Sequence, residues 1–165
     1  TQQSSRNTYD HHQWHWDLIE SQTPIQGNGE YIQRAMQNVL ENAVLYTPEG
    51  GTISVRVFEQ DNWSVFEVTD SGIGIDGDDM PQIGQDFFRA DNAQERHNAS
   101  PGLGLSIVRQ IMHRHKGTML LESEPGHGTR VQLIFATNDD WAHIVQDLPL
   151  TMLGQPRPLK QISNG

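Results

Sequence analysis

The sequence predicts a two-layer α/β sandwich (α+β), a mixed, mostly antiparallel sheet of about five strands covered on one face by helices. Three observations predict it. Two segments repeat apolar residues at helical period, several short segments alternate with period two, and the strands fall as neighbouring pairs joined by short turns. A chain of 165 residues suits one such domain with room for a linker and a tail.

The first helix is the clearest element. Ile32, Ala35, Met36, Val39, Leu40 and Ala43 form one apolar stripe, which should stop near Thr47, before Pro48-Glu49-Gly50-Gly51. Ile53, Val55 and Val57 alternate with polar neighbours, so residues 52–60 read as a strand; Asp61-Asn62 turns the chain and residues 63–70 are its hairpin partner. Phe66, Val68 and Asp70 share one face of that partner, which sets a carboxylate at the end of an apolar face. A second helix begins around Gly104, with Val108, Ile111, Met112 and His115 as its inward stripe and Gly117 as its cap. Residues 118–123 and 129–135 are two further strands. Trp14, Trp16 and Leu18 alternate weakly, as an edge strand does, ahead of a turn from Pro24 to Gly29. The polar residues 1–12 read as a linker and residues 13–137 as the domain. Residues 138–165 read as a tail, in which 140–148 could form a short helix.

The net charge of −10 argues against DNA or RNA as the main partner. A polyphosphate would have to be held locally, by backbone N–H groups, a metal ion and a few placed cations. The absence of cysteine excludes disulfides and Cys-based zinc sites and fits a reducing compartment. The chain starts at Thr1 without a signal-like stretch and its apolar runs are too short to span a bilayer; it reads as a soluble piece of a larger protein.

Four segments carry the chemistry. Asn38 and Asn42, four apart on the first helix, present two amides side by side, suited to Mg²⁺ and its waters or simply to solvent and a loop. Asp70-Ser71-Gly72-Ile73-Gly74-Ile75 puts a buried carboxylate, which needs a donor, beside glycines that admit a flat ring; alone it also reads as a tight turn. Asp86-Phe87-Phe88-Arg89 places a forked cation beside two aromatics. Gly102-Leu103-Gly104-Leu105 opens the second helix, where free N–H groups attract anions. Residues 72–77 formally match G-x-G-x-x-G, but they follow a hairpin and precede Asp78-Asp79-Met80-Pro81, so a dinucleotide fold is rejected.

In this order the segments resemble the N, G1, F and G2 boxes of the histidine-kinase branch of the GHKL (Bergerat-fold) ATPases, the superfamily of gyrase B, MutL and the heat-shock chaperone ATPases. Tyr46-Thr47-Pro48-Glu49-Gly50-Gly51 and Gly126-His127-Gly128-Thr129 extend the resemblance over about residues 13–137. It implies ATP and Mg²⁺ as cofactors. Asn42 would ligate Mg²⁺ with Asn38 in support. Tyr46 would pack on the adenine, Asp70 would accept its amine, and Gly72, Gly74 and Ile75 would shape the base pocket. Arg89 would touch the terminal phosphate, Gly102, Leu103, Gly104 and Leu105 would line the triphosphate, and Thr129 would close the pocket. Asn38, Asn42 and Arg89 form the implied catalytic set, and residues 89–101 the ATP lid.

The implied reaction is phosphoryl transfer from Mg-ATP to a histidine on a separate dimerisation domain, for relay to a response-regulator receiver domain. None of the eight histidines here has the acidic and proline setting of a phosphoacceptor. The family implies a membrane-anchored homodimer with this domain on the cytoplasmic side. Leu45 stands where members often carry Lys or Arg, removing a charge-assisted contact of ~1.5–3 kcal/mol. Rival readings are a non-catalytic nucleotide-binding interaction module, an anti-sigma-type Ser/Thr kinase and, last, a gyrase-like ATPase.

Overall fold

The computed structural model describes residues 8–19, 24–60, 62–79 and 104–137. Within them the chain forms β1 (Gln13–Leu18), α1 (Gly29–Tyr46), β2 (Thr52–Gln60), β3 (Trp63–Asp70), α2 (Gly104–Arg114), β4 (Thr118–Glu124) and β5 (Gly128–Ala136), preceded by a 3-10 turn at Thr8–His11. The sheet order is β1-β2-β3-β5-β4. β1 runs parallel to β2 and every other pairing is antiparallel, so the sheet is mixed, as the sequence predicts. The expected linker, lid, F segment and tail lie outside the described residues, apart from the linker's last residues.

Local chemistry sets the helix ends. Asn28 Oδ1 accepts from the Glu30 and Tyr31 amides at 3.0 and 3.3 Å, so two of the free N–H groups that open α1 are satisfied by its N-cap. The end of α2 corrects the expected cap. Gly117 N donates to Met112 O and Lys116 N to His113 O, the paired bonds of a Schellman turn, and the left-handed residue is Lys116 (φ 54°). Gly117 serves close packing instead: a Cβ there would sit 2.6 Å from the Ile134 carbonyl. His115, expected in the inward stripe, is half-buried; its Nδ1 lies 2.7 Å from Ile111 O and its Nε2 accepts from Asn28 N. β4 and β5 each reach one residue further into their turn than the alternation suggested.

Strand register sorts the sheet into rows. On the face toward the helices one row holds Val55, Val68, Val131 and Leu121, and the next holds Val57, Phe66, Leu133 and Met119. Ala35, Val39 and Ala43 of α1 and Val108, Ile111 and Met112 of α2 pack on these rows to make the core. Each fully buried Val or Ile contributes about 1.5–3 kcal/mol. Trp14 joins this core from the edge strand, while its stacked neighbour Trp16, 5.3 Å away, is exposed.

The opposite face carries a second apolar cluster of Trp63, Val65 and Ile134 with Phe58, Leu120 and Ala136. Beside it Arg56 meets Glu67 at 3.2 Å and Asp17 at 3.5 Å, and Arg130 pairs with Glu122. At the other end of the helix-facing side the apolar rows stop. The final row reads Ile53, Asp70, Thr129, Ser123 across four strands, and its last three members are polar.

Candidate functional site

That polar row forms the floor of the candidate site. Asp70 is buried, as the end of an apolar strand face requires. Its Oδ1 accepts from Gly72 N at 2.8 Å and from Thr129 N at 3.3 Å. Among the described residues Oδ2 accepts nothing. Burial raises the Asp70 pKa from 3.8 to about 7, against the two backbone N–H groups that pull it down. A carboxylic acid so poised lacks a donor, and a ligand amine is one that would complete it.

Residues 71–75 wrap this carboxyl. Ser71 Oγ accepts from Thr52 N, Ile73 N donates to Tyr46 O at 3.1 Å, and Ile75 N donates to Ser123 Oγ at 2.8 Å. Gly126 N closes the loop onto the β4–β5 hairpin through Ile73 O at 2.7 Å. Two glycines are required by geometry. A Cβ on Gly72 would lie 2.5 Å from Tyr46 O and 2.7 Å from Asp70 Oδ1, and Gly74 has φ 71° with its missing Cβ directed into the Glu124 carbonyl. The loop therefore passes between the end of α1 and the hairpin with no room for side chains at either point.

α1 links this floor to a second group. Tyr46, whose carbonyl anchors the loop, lies one turn, about 6 Å, beyond Asn42. A Cβ on Gly104, the first residue of α2, would stand 3.5 Å from both Oδ1 and Nδ2 of Asn42, so that amide faces the opening of α2. One turn earlier Asn38 Nδ2 is buried without a partner among the described residues. A buried amide with a free N–H fits an oxygen-rich neighbour such as water or phosphate. Leu105 follows in the first turn of α2, half-buried.

The structure thus brings together Tyr46, Asp70, Gly72, Gly74, Ile75 and Thr129 at one end, and Asn38, Asn42, Gly104 and Leu105 at the other. Arg89, Gly102 and Leu103 lie outside the described residues. Sequence reasoning missed Ser123, whose hydroxyl joins Ile75, Gly128 and Thr129. The only signal was its position two residues before Pro125-Gly126. It also missed the clamp beneath Tyr46, in which His12 Nε2 lies 2.8 Å from Thr47 O and His11 Nδ1 3.0 Å from Glu49.

Residues 27–139 match the family model of the histidine kinase-, DNA gyrase B- and HSP90-like ATPases. The chain belongs to this family. Within it, the chain is similar to sensor histidine kinases. It is 32% identical over 112 residues to the phosphate regulon sensor protein PhoR of Pseudomonas aeruginosa, covering 68% of this chain and 25% of that protein. It is 35% identical over 109 residues to the sensor-like histidine kinase SenX3 of Mycolicibacterium smegmatis, covering 66% and 28%. The chain therefore spans about a quarter of the length of these curated relatives. Among solved structures it resembles the mycobacterial sensor histidine kinase MprB, with a TM-score of 0.67 at 28% identity, over 77% of this chain and 84% of that one. The catalytic domain of histidine kinase ThkA shares the fold, with a TM-score of 0.65 at 20% identity, over 77% and 81%. Membership of an ATPase family makes ATP the ligand of this GHKL domain. Among the described residues no helix is long and apolar enough to cross a membrane.

Proposed function

We propose that this domain binds Mg-ATP and passes the γ-phosphoryl group to a histidine on a separate helical dimerisation domain, for relay to a response-regulator receiver domain. The observation that carries the proposal is the buried Asp70 carboxyl, held on Oδ1 by two backbone amides with Oδ2 left over at the end of a glycine-lined loop. In this reading the adenine 6-amino group donates to Asp70, and Gly72, Gly74 and Ile75 let the ring lie against backbone. The polyphosphate runs past Asn42 toward the opening of α2, where Gly104 admits it and the helix N-terminus favours its charge. Arg89, Gly102 and Leu103 complete the phosphate end.

Mg²⁺ fits the donor set here, since the Asn42 amide oxygen is a hard ligand facing Gly104 and the unpaired Asn38 Nδ2 suits an ion's water or a phosphate oxygen. When bound, it neutralises polyphosphate charge and orients the γ-phosphate. The residues of this chain position the nucleotide; the incoming imidazole nitrogen forms the new N–P bond as the bond from the γ-phosphorus to the β–γ bridging oxygen breaks and ADP leaves. The sensor kinases among the relatives, and a similar full-length chain, ShkA, described in complex with AMPPNP, support this reading. By the same likeness the parent protein is a homodimer, anchored in a membrane with this domain on the cytoplasmic side.

The test is calorimetric binding of AMPPNP with and without Mg²⁺, for the wild type and Asn42→Ala, followed by phosphotransfer from ATP to a histidine-bearing dimerisation domain. Binding that Mg²⁺ strengthens in the wild type but not in Asn42→Ala, and an acid-labile phosphoprotein product, are expected. No binding at millimolar nucleotide, or an acid-stable product, would contradict the kinase reading.

A further inference from the structure

The hydroxyl of Ser123 has three partners and one proton. Its Oγ lies 2.8 Å from Gly128 O, accepts from Ile75 N at 2.8 Å, and lies 2.9 Å from Thr129 Oγ1. A carbonyl oxygen only accepts and a backbone N–H only donates, whereas a threonine hydroxyl does either. One assignment satisfies all three contacts: Ser123 donates to Gly128 O, and Thr129 donates to Ser123. Thr129 then turns its proton away from the site and keeps lone pairs toward it. Thr129 sits directly across from Asp70 in the strand register, and its backbone N–H already holds Asp70 Oδ1. With Asp70 ionised, the polar row therefore presents two acceptors side by side, the carboxylate and Thr129 Oγ1.

We infer that Ser123 is a positioning residue for base selectivity: by fixing the Thr129 proton it makes this end of the pocket an acceptor-only wall, which takes a 6-aminopurine and rejects a 6-oxopurine. The inference rests on the nucleotide reading above and extends it to which base is admitted. An exocyclic amine offers two N–H donors to such a wall. A 6-oxo group offers lone pairs to lone pairs, and a site built to bond a donor discriminates strongly against its absence. Without the Ser123 hydroxyl, Thr129 is free to rotate and donate to a 6-oxo group. Ser123 also ties Ile75 to the hairpin, so its removal would loosen the loop for any base; selectivity separates the two roles.

The experiment is titration at about pH 8.5, where Asp70 is ionised, of wild type, Ser123→Ala and Ser123→Thr with non-hydrolysable analogues of ATP and ITP, which differ at purine position 6 while lacking the 2-amino group of guanine. The wild type should prefer the adenine analogue by about tenfold or more, the worth of one well-made bond plus an avoided clash. Ser123→Ala should lose most of that preference, chiefly through weaker binding of the ATP analogue, and Ser123→Thr should keep it. If Ser123→Ala does not melt cooperatively, Ser123→Cys replaces it, keeping the volume with weaker bonds. Equal weakening of both analogues, or a wild type that binds both equally, overturns the inference and leaves the nucleotide reading standing. A wild type that binds neither overturns the nucleotide reading itself, and the inference with it.

Discussion

Glu67 and Asp70 stand three residues apart on β3, both buried, on opposite faces of the sheet. Glu67 is answered by the protein on both oxygens: Arg56 Nη1 donates to Oε1 at 3.2 Å and Gln132 Nε2 to Oε2 at 2.7 Å. Asp70 has no cation beside it among the described residues. Two backbone amides share its Oδ1, and burial lifts its pKa to about 7. The same chemical group in the same strand is finished in one place and left unfinished in the other. A carboxyl buried at a cost and not repaid within the fold marks where a ligand is meant to complete it.

Exchanging either acid for its amide sharpens the contrast. The largest effect expected is on Asp70→Asn, which replaces a charged acceptor by a neutral amide and should weaken binding of an ATP analogue by about 10- to 100-fold, or ~1.5–3 kcal/mol. Calorimetry decides it, and a change within twofold would remove Asp70 from the base pocket. Glu67→Gln should do the reverse. It leaves Arg56 with only the more distant, exposed Asp17, costing ~1–2 kcal/mol of stability in urea, below the range for breaking a fully buried pair because Arg56 is 31% exposed, while affinity stays within about twofold.

A third effect separates the two acids by pH. The folded state holds the Asp70 proton up to about pH 7, whereas the unfolded chain releases it near 3.8. The stability this proton contributes is therefore fully present below about pH 3.8 and is lost as pH rises to about 7. Thermal melts of the nucleotide-free domain between pH 4.5 and 8 should show that decline in the wild type. Asp70→Asn should show a flatter profile and a higher melting temperature at pH 8; a profile identical to wild type would contradict the assigned burial cost. The smallest effect concerns Leu45→Lys, which restores a cation in the last turn of α1. It should tighten the ATP analogue by up to about fivefold at low salt and less at high salt, as an exposed ion pair does.

Much of this was legible in the sequence, for physical reasons. Ile53, Val55 and Val57 alternate with polar neighbours and a short turn separates Thr52–Gln60 from Trp63–Asp70, so both strands run as read, and Asp70 was visible as a carboxylate ending an apolar face. The stripe from Ile32 to Ala43 located α1, though not its N-cap Asn28, which sits in a turn crowded with other turn formers. What the chain could not reveal is register. The row of Asp70, Thr129 and Ser123 exists because β5 slots between β3 and β4. No local pattern reports that Thr129, far along the chain, faces Asp70. The same holds for Glu67, whose partners Arg56 and Gln132 lie on two other strands, and for the parallel pairing of β1 with β2, which depends on how the chain returns to the edge after α1. The roles of Lys116 and Gly117 were misassigned because composition favours glycine for a left-handed cap, while tertiary packing against Ile134 needed the glycine one residue later.

The most direct test of the central claim follows the Asp70 carboxyl itself. Its ¹³C carboxyl resonance, assigned by comparison with Asp70→Asn and titrated by NMR, should show a midpoint near 7 in the free domain. With saturating AMPPNP the midpoint should fall well below that value, since a donor on Oδ2 favours the ionised form. A midpoint unmoved by bound nucleotide would show that the base does not reach Asp70, and the site would have to be placed elsewhere.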